Sequence, residues 1–222
     1  MDALSEGKLL AAGCVSSGVI HEVANLLTVI DGQIQIREMG GVSPRPGRDP
    51  LTLLQSPAQK CRDVVDAFRA CFAFTEALPY PTPWESEVRA IVPLIHVRLR
   101  ARQTQIEVPD GSSRATMPGA SAGRVRIAIL CALLGMLEHA RHKDRYPTRL
   151  RMRLNGGLPP GVVFEMVLSG FVPAPAGDTH AEAGSRMVEV AERVLAGTVY
   201  TLRLSQVDGE ATIAFVAAAA TS

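Results

Sequence analysis

The chain has 222 residues, of which 47% are apolar and 20% charged, and its formal net charge is +1. A chain of this length can bury a full hydrophobic core and can hold one large domain or two small ones. Because the net charge is close to zero, composition gives no reason to expect a polyanionic partner, and we expect no nucleic acid. The four cysteines show no CxxC spacing and are expected to be free thiols in a reducing compartment.

The sequence also argues against secretion and membrane insertion. Acidic residues occur early in the chain, where a secretion signal would have a basic and then an apolar segment. The longest apolar run, Ile127 to Leu137, is too short to cross a bilayer. We therefore expect a soluble, cytoplasmic protein with no membrane partner.

A long first helix is predicted from about Leu4 to Met39, where Gly40 and Gly41 end it before a proline-rich loop. Its apolar residues recur three and four apart, as in the seam of a helical bundle: Ile20, Val23, Leu27, Ile30 and Ile34. We expect this seam to pack against other helices.

A second helix with the same spacing follows the loop, and its seam is Leu51, Leu54, Ala58, Cys61, Val65, Phe68, Phe72 and Thr75. Ser56 and Pro57 resemble an N-cap and a first helical residue, so Leu51 to Leu54 form either a separate turn or a kinked start. Because one helical hairpin cannot bury both seams, we predict a homodimer in which two hairpins form a four-helix bundle.

The proline-rich segment from Pro79 to Pro83 predicts a stiff linker between two domains. The domains are then residues 1–78, a helical hairpin, and residues 84–222, an α/β sandwich, with the linker at 79–83. Helices are predicted in the second domain at 84–102, 121–142 and 182–196. Strands are predicted at 105–108, 114–117, 149–154, 162–168, 199–204 and 211–216, and the last two form a hairpin around Asp208 and Gly209.

His21 is the residue of the first helix that carries reactive chemistry. Asn25, Thr28 and Gly32 follow it on the same helical face, and Glu22 is its neighbour in the chain. An imidazole held on a rigid helix beside an apolar seam is suited to accept a phosphoryl group, because the packing of the seam fixes its position. A solvated surface pair is the alternative for His21 and Glu22. A zinc site of the H-E-x-x-H type is excluded, because Asn25 stands in place of the second histidine.

The residues from Leu9 to Gly13 and from Gly18 to Asn25 resemble the H-box of sensor histidine kinases, L-A-A-G-V-A-H-E-I-N-N-P-L. In this resemblance His21 is the phosphoacceptor, Glu22 is the adjacent acid and Asn25 is the amide four residues on. Leu26 stands where the family usually has proline, which would leave the helix straighter.

The order of elements after the linker resembles the ATP-binding domain of the same kinases, the Bergerat fold. The residues that hold nucleotide in that family are missing from this chain. Gly135 stands where an asparagine helps to hold magnesium, Leu168 to Val172 replaces the D-x-G-x-G segment, and His180 to Arg186 replaces the phosphate-binding glycines. The lid is reduced to Pro173 to Gly177. The resemblance therefore implies a degenerate ATPase-like domain that does not bind ATP productively.

An acceptor histidine on a domain without a nucleotide site resembles the dimeric histidine phosphotransferases of bacterial phosphorelays. This resemblance implies that His21 passes a phosphoryl group to or from receiver-domain aspartates, with Glu22 orienting the ring. Asn25 is expected to position a water or to contact the partner. The chain would bind no cofactor, because the receiver supplies the magnesium. The alternatives are a divergent histidine kinase that autophosphorylates His21 with MgATP, and a pseudokinase scaffold.

The expected partners are a second copy of the chain, receiver domains of response regulators and a hybrid histidine kinase. Helix phase gives the candidate contacts of a receiver: Thr28, Gly32, Gln33, Gln35 and Ile36 from the first helix, and Asp66, Arg69 and Ala70 from the second. Six arginines give the second domain a basic character, either as a solvated face or as a surface for an acidic receiver: Arg98, Arg100, Arg102, Arg149, Arg151 and Arg153.

Overall fold

The structure is a computed structural model that describes residues 1–39, 50–73, 80–99, 103–109, 114–142, 145–154, 158–173, 182–207 and 209–218. Within these ranges the helices are α1 (Ala3–Glu38), α2 (Pro50–Phe72), α3 (Trp84–Leu99), α4 (Gly119–His142) and α5 (Glu182–Leu195). The strands are β1 (Thr82–Pro83), β2 (Gln105–Glu107), β3 (Thr116–Met117), β4 (Arg145–Tyr146), β5 (Arg149–Leu154), β6 (Val162–Ser169), β7 (Val172–Pro173), β8 (Tyr200–Val207) and β9 (Glu210–Ala217).

The main sheet has five strands in the order β2-β5-β6-β9-β8. Strand β2 is parallel to β5, and the other neighbours are antiparallel. The predicted hairpin is confirmed, because β8 and β9 pair from Val207 and Glu210 outward and Gly209 has a φ of +79°. The molecule thus combines helices with a mixed sheet, as the sequence predicted.

Alternation along the strands separates a buried face of the sheet from an exposed one. Leu150, Met152 and Leu154 of β5 are buried, whereas Arg149 and Arg151, which alternate with them, are exposed. The buried face packs against α3 through aromatic rings. Trp84, the first residue of α3, lies 5.0 Å from the ring centroid of Tyr200, 5.7 Å from that of Phe164 and 6.0 Å from that of Phe215.

The first half of α1 packs onto the α/β unit. The residues that it buries recur every four positions, and they are small or β-branched: Gly7, Ala11, Val15 and Val19. They share one hydrophobic core with α3, α4 and α5. At Gly7 the approach is so close that an added Cβ would lie 2.9 Å from Cγ2 of Ile127 and 3.0 Å from Cγ2 of Val194. The core is therefore continuous across the boundary predicted at 79–83.

This stripe is not the predicted seam of α1. Within one chain its residues Ile20, Leu27 and Ile34 are exposed, at 69%, 49% and 40%, whereas Val23 is half-buried against the core. The predicted seam residues have the spacing of one face of a helix, but the α/β unit packs mainly against the neighbouring face of α1. A partner helix for the exposed seam stays a prediction.

Helix α2 lies antiparallel to α1 and is fixed at its C-terminal end. Lys8 Nζ donates to the carbonyl oxygen of Ala73 at 3.1 Å, which brings the start of α1 next to the end of α2. Arg126 of α4 donates to the carbonyl oxygen of Ala70 and also bonds to Glu87 Oε2 at 2.7 Å. The arginine therefore ties α2, α3 and α4 together.

The structure differs from the predicted elements in three places. Helix α2 is continuous from Pro50 through Pro57, so of the two predicted alternatives the separate turn is wrong; a proline inside a helix removes one backbone hydrogen bond without necessarily ending it. Thr82 and Pro83, predicted as linker, form β1 and pair with β3. The two-residue strands β4 and β7 were not predicted, because two residues show no alternation. The residues at 40–49 and 174–181, and Thr75, lie outside the described ranges.

Two helices, α1 and the part of α4 at Gly119–Ala140, are long and apolar enough to cross a membrane by length and composition. The most apolar window of α4 is 78% buried inside the protein, as in the core helix of a folded domain. In α1 only 17% of that window is buried. The expectation that no part of the chain enters a membrane stays a prediction.

Candidate functional site

His21 lies in the middle of α1, just beyond the half that packs onto the α/β unit. Val19 is the last residue of the buried stripe, and His21, two positions later, is exposed. Glu22 is half-buried and Asn25, one turn further on, is exposed. The packing before His21 thus holds the helix in place while the imidazole itself stays accessible.

The three predicted residues His21, Glu22 and Asn25 line one groove between α1 and α3, with a volume of about 640 Å³. The other lining residues are Ser17, Gly18, Leu26, Val29, Val97 and Arg98. Three of the lining residues are apolar, and the polar ones lie on α1 between Ser17 and Asn25 and at the end of α3. A groove of this kind can hold the edge of a partner protein or a small anionic group beside the imidazole.

The end of α3 comes close to α1 at Gly18, because glycine has no side chain there. An added Cβ would lie 2.9 Å from Cγ1 of Val97. Arg98, the next residue, donates from Nη2 to Oε1 of Glu138 on α4. The Glu138 side chain is 7% exposed and the Arg98 side chain 34% exposed, so the ion pair reaches from the protein interior to the groove.

Cys14 lies one turn before Gly18, close to this ion pair. Burial raises the pKa of the Cys14 thiol, and the Glu138 carboxylate raises it further. Burial also raises the pKa of Cys71 and of Cys131 to about 12. Because the thiolate is the reactive form, these three cysteines are poor nucleophiles, and His21 remains the accessible nucleophile of this region.

The candidate receiver contacts of α1 lie along its second half. Thr28 is exposed, and its hydroxyl donates to the carbonyl oxygen of Ala24 at 2.9 Å. Gly32 and Gln33 are half-buried, whereas Gln35 and Ile36 are exposed. At 1.5 Å per residue, Ile36 lies about 22 Å from His21 along the helix axis.

The candidate contacts of α2, Asp66, Arg69 and Ala70, are exposed. Because α2 is antiparallel to α1 and Ala73 lies beside Lys8, they lie toward the start of α1. The structure therefore does not bring the two sets of candidate contacts together: one lies on each side of His21 along the hairpin. The backbone oxygen of Ala70 is in addition bonded to Arg126.

Two further cavities adjoin each other beside α4, where the sequence predicted a degenerate nucleotide site. The larger, about 440 Å³, lies between α4, α5 and β8, and its lining includes Gly135, Met136, Val188, Glu189 and Leu204. The smaller, about 290 Å³, shares Met136, His139 and Gln206 with it and reaches Leu168 and Phe171. The larger cavity is lined by apolar side chains, by the carboxylate of Glu189 and by polar side chains such as that of Gln206, and Gly135 has no side chain to offer as a metal ligand.

Among the described residues no group of three or more His, Cys, Asp or Glu side chains could hold a metal ion. The Arg98–Glu138 pair was not predicted from the sequence, where Arg98 is one of several basic residues. Forty positions separate the two residues, and no local pattern links them. The one available signal was a glutamate directly after the apolar run from Ile127 to Leu137, since a buried carboxylate needs a partner.

No protein-family model matches the sequence, and no curated protein is significantly similar to it. Among solved structures, the chain is similar to a bacterial phosphotransferase, with 12% identity, a TM-score of 0.46 and coverage of 93% of this chain and 96% of that one. It is also similar to the Acinetobacter baumannii histidine kinase AdeS, with 12% identity, a TM-score of 0.42 and coverage of 89% and 97%.

A third similar structure is full-length ShkA in complex with AMPPNP, with 18% identity and a TM-score of 0.42. The similarity covers 93% of this chain and 46% of ShkA. Similarity at this level does not transfer the activity of these proteins to this chain.

Proposed function

We propose that the protein is a histidine phosphotransferase of a bacterial two-component phosphorelay, which passes phosphoryl groups through His21 without using ATP. The observation that carries the proposal is the groove at His21: an exposed imidazole on a fixed helix, with Glu22 and Asn25 lining the same space. A nucleophile held in this way can attack a bound donor with little further loss of entropy, because it is already oriented.

The transfer needs only groups that the groove and a receiver domain provide. A nitrogen of the neutral His21 ring attacks the phosphorus of an aspartyl phosphate on the receiver. The new N–P bond forms as the P–O bond to the aspartate breaks, and the carboxylate leaves with the electron pair. The proton on the other ring nitrogen stays there, and Glu22 stabilises the positive charge that results. Magnesium comes from the receiver, and the reverse sequence returns the group.

The region beside α4 supports transfer without ATP. By resemblance to the histidine kinases, Gly135 stands at the position of the magnesium-binding asparagine, and it is buried and has no side chain. Glu189 lines the adjacent cavity, and a carboxylate there opposes the negative charge of a polyphosphate. We therefore assign this region to a degenerate Bergerat-type domain whose remaining role is to support α1.

The proposal includes a homodimer in the cytoplasm, with a four-helix bundle formed by two α1–α2 hairpins. The exposed seam residues of α1, together with Val65 of α2 at 39% exposure, are apolar side chains that a second hairpin would cover. Burying them in the dimer would fix the second half of α1 as firmly as the α/β unit fixes the first. A protein that sediments as a monomer at micromolar concentration would contradict this part.

The function is tested by incubating the purified protein with a phosphorylated receiver, and separately with labelled MgATP, using wild type beside His21→Ala. We expect label on the wild type from the receiver, no label from MgATP, and none on His21→Ala in either case. Label from MgATP on the wild type alone would instead identify a divergent histidine kinase. No transfer in either direction would leave a pseudokinase scaffold, whose partner binding would survive His21→Ala.

A further inference from the structure

A cation from the α/β unit faces the groove that contains His21. Arg98 lines this groove, and its side chain is 34% exposed. Its place is set by Gly18, where the missing side chain lets Val97 approach α1 one turn before His21. The arginine is thus fixed relative to the imidazole by packing between the two helices.

The buried carboxylate of Glu138 holds the guanidinium from the interior. The bond from Arg98 Nη2 to Glu138 Oε1 uses one of the five N–H donors of the guanidinium. A charge-assisted bond to a carboxylate that is 7% exposed restricts the arginine to few conformations. The outer part of the planar fork remains available to an anion in the groove.

When His21 is phosphorylated, the groove gains negative charge that the Arg98 guanidinium can balance. A phosphoryl group adds about two negative charges beside Glu22, which also lines the groove. Negative charges that share one groove oppose each other, and Arg98 brings a positive charge to the same groove. Guanidinium groups suit this task because their fork matches the oxygens of a phosphoryl group.

We propose that Arg98 binds the phosphoryl group carried by His21 and that Glu138 is the positioning residue of Arg98. The inference rests on the proposed function, because it concerns the phosphorylated state of His21. Arg98 contacts the transferred oxygens both while the group is on the imidazole and as it leaves, whereas Glu138 acts only through Arg98.

The test uses phosphoramidate as a small phosphoryl donor, so that no receiver is needed. A nitrogen of the His21 ring attacks phosphorus, the P–N bond breaks, and ammonia leaves with the electron pair. The pH titration of the resulting phosphohistidine is then followed by phosphorus NMR. Wild type is compared with Arg98→Gln, Arg98→Lys and Glu138→Gln. Arg89→Gln is the control, since Arg89 is an exposed arginine of the same helix that pairs with Glu85.

We expect the phosphohistidine of Arg98→Gln to titrate about one pH unit higher than that of wild type, because the nearby positive charge is lost. Arg98→Lys keeps a positive charge, so its phosphohistidine should shift by less than that of Arg98→Gln. The titration of Glu138→Gln should lie between those of wild type and Arg98→Gln, and Arg89→Gln should titrate like wild type. Since Arg98→Gln keeps the negative charge of Glu138, which can itself shift the titration, the double variant Arg98→Gln/Glu138→Gln is measured as well, and it should still titrate above wild type. An unchanged titration in a folded Arg98→Gln or double variant overturns the inference.

The outcomes separate this inference from the proposed function. If phosphoramidate labels His21 and the titration shifts, but no phosphorylated receiver transfers to His21, the proposed function fails and the role of Arg98 stands. If phosphoramidate does not label His21 in the wild type, the inference is overturned directly, whatever receivers do.

Discussion

The two halves of the helical hairpin differ in how they are held. The start of α1 and the end of α2 pack against the α/β unit, through the stripe from Gly7 to Val19 and through the contacts of Arg126. From Ile20 onward most side chains of α1, apolar and polar, are instead exposed, although Val23 packs against the core and Leu26 is buried. His21 lies where the anchored half ends. The difference shows how one helix can combine a fixed position for a nucleophile with a surface for partners.

The largest effect is expected from breaking the anchor of α2. Arg126 and Glu87 have side chains that are 11% and 4% exposed, so Arg126→Met leaves a buried carboxylate unpaired. The free energy of unfolding, measured in urea, should fall by about 3–5 kcal/mol. Arg89→Met, which breaks an exposed pair with Glu85, is the control and should cost less than about 1 kcal/mol. Equal losses in the two variants would show that Arg126 is no anchor.

The close approach at Gly7 gives a second and smaller test of the anchored half. Gly7→Val places a side chain against Ile127 and Val194, and overpacking of this kind costs about 1–3 kcal/mol. Gly13→Ala is the matched control on the same helix, because nothing lies within 4 Å of an added Cβ there. It should stabilise the protein by up to about 1 kcal/mol through helix propensity. Thermal unfolding of both variants checks the contrast, which would disappear if α1 were not packed on the α/β unit.

The same contrast explains which parts of the molecule could be predicted from sequence. Helices and the last hairpin depend on local periodicity and on a turn glycine such as Gly209, so they were predicted closely. The buried face of α1 depends on what the α/β unit places opposite it. Gly7 and Ala11 carry little hydrophobic signal, whereas Ile20 and Leu27 carry a strong one, and the stronger signal belongs to the face that is exposed within one chain.

Helix period likewise placed His21, Glu22 and Asn25 on adjoining positions of one helix, and they line one groove. The helical periodicity of α1 could not predict which residues of other elements form the opposite wall of that groove. Val97 and Arg98 reach it because α3 passes Gly18, and Glu138 reaches Arg98 from a third helix. A single sequence does not show which residues pair over such long separations, even where a lone glutamate signals that some partner is needed.

The smallest effect is expected at the first turns of α1, where Glu6 bonds to Arg193 at 2.7 Å and to Arg186 at 3.2 Å. These hydrogen bonds lower the pKa of Glu6 below its ordinary value of 4.5, and the bond from Arg193 has the largest effect. A carboxyl with a lowered folded-state pKa stabilises the protein above its unfolded pKa, and this contribution is lost as pH falls through the folded value. Glu6→Gln should therefore melt slightly below wild type at neutral pH, and the difference should shrink as pH falls below 4.5. Melting temperatures of both proteins across this range check the sign. A gap that widened in acid would mean that Glu6 does not hold α1 against α5 through its charge.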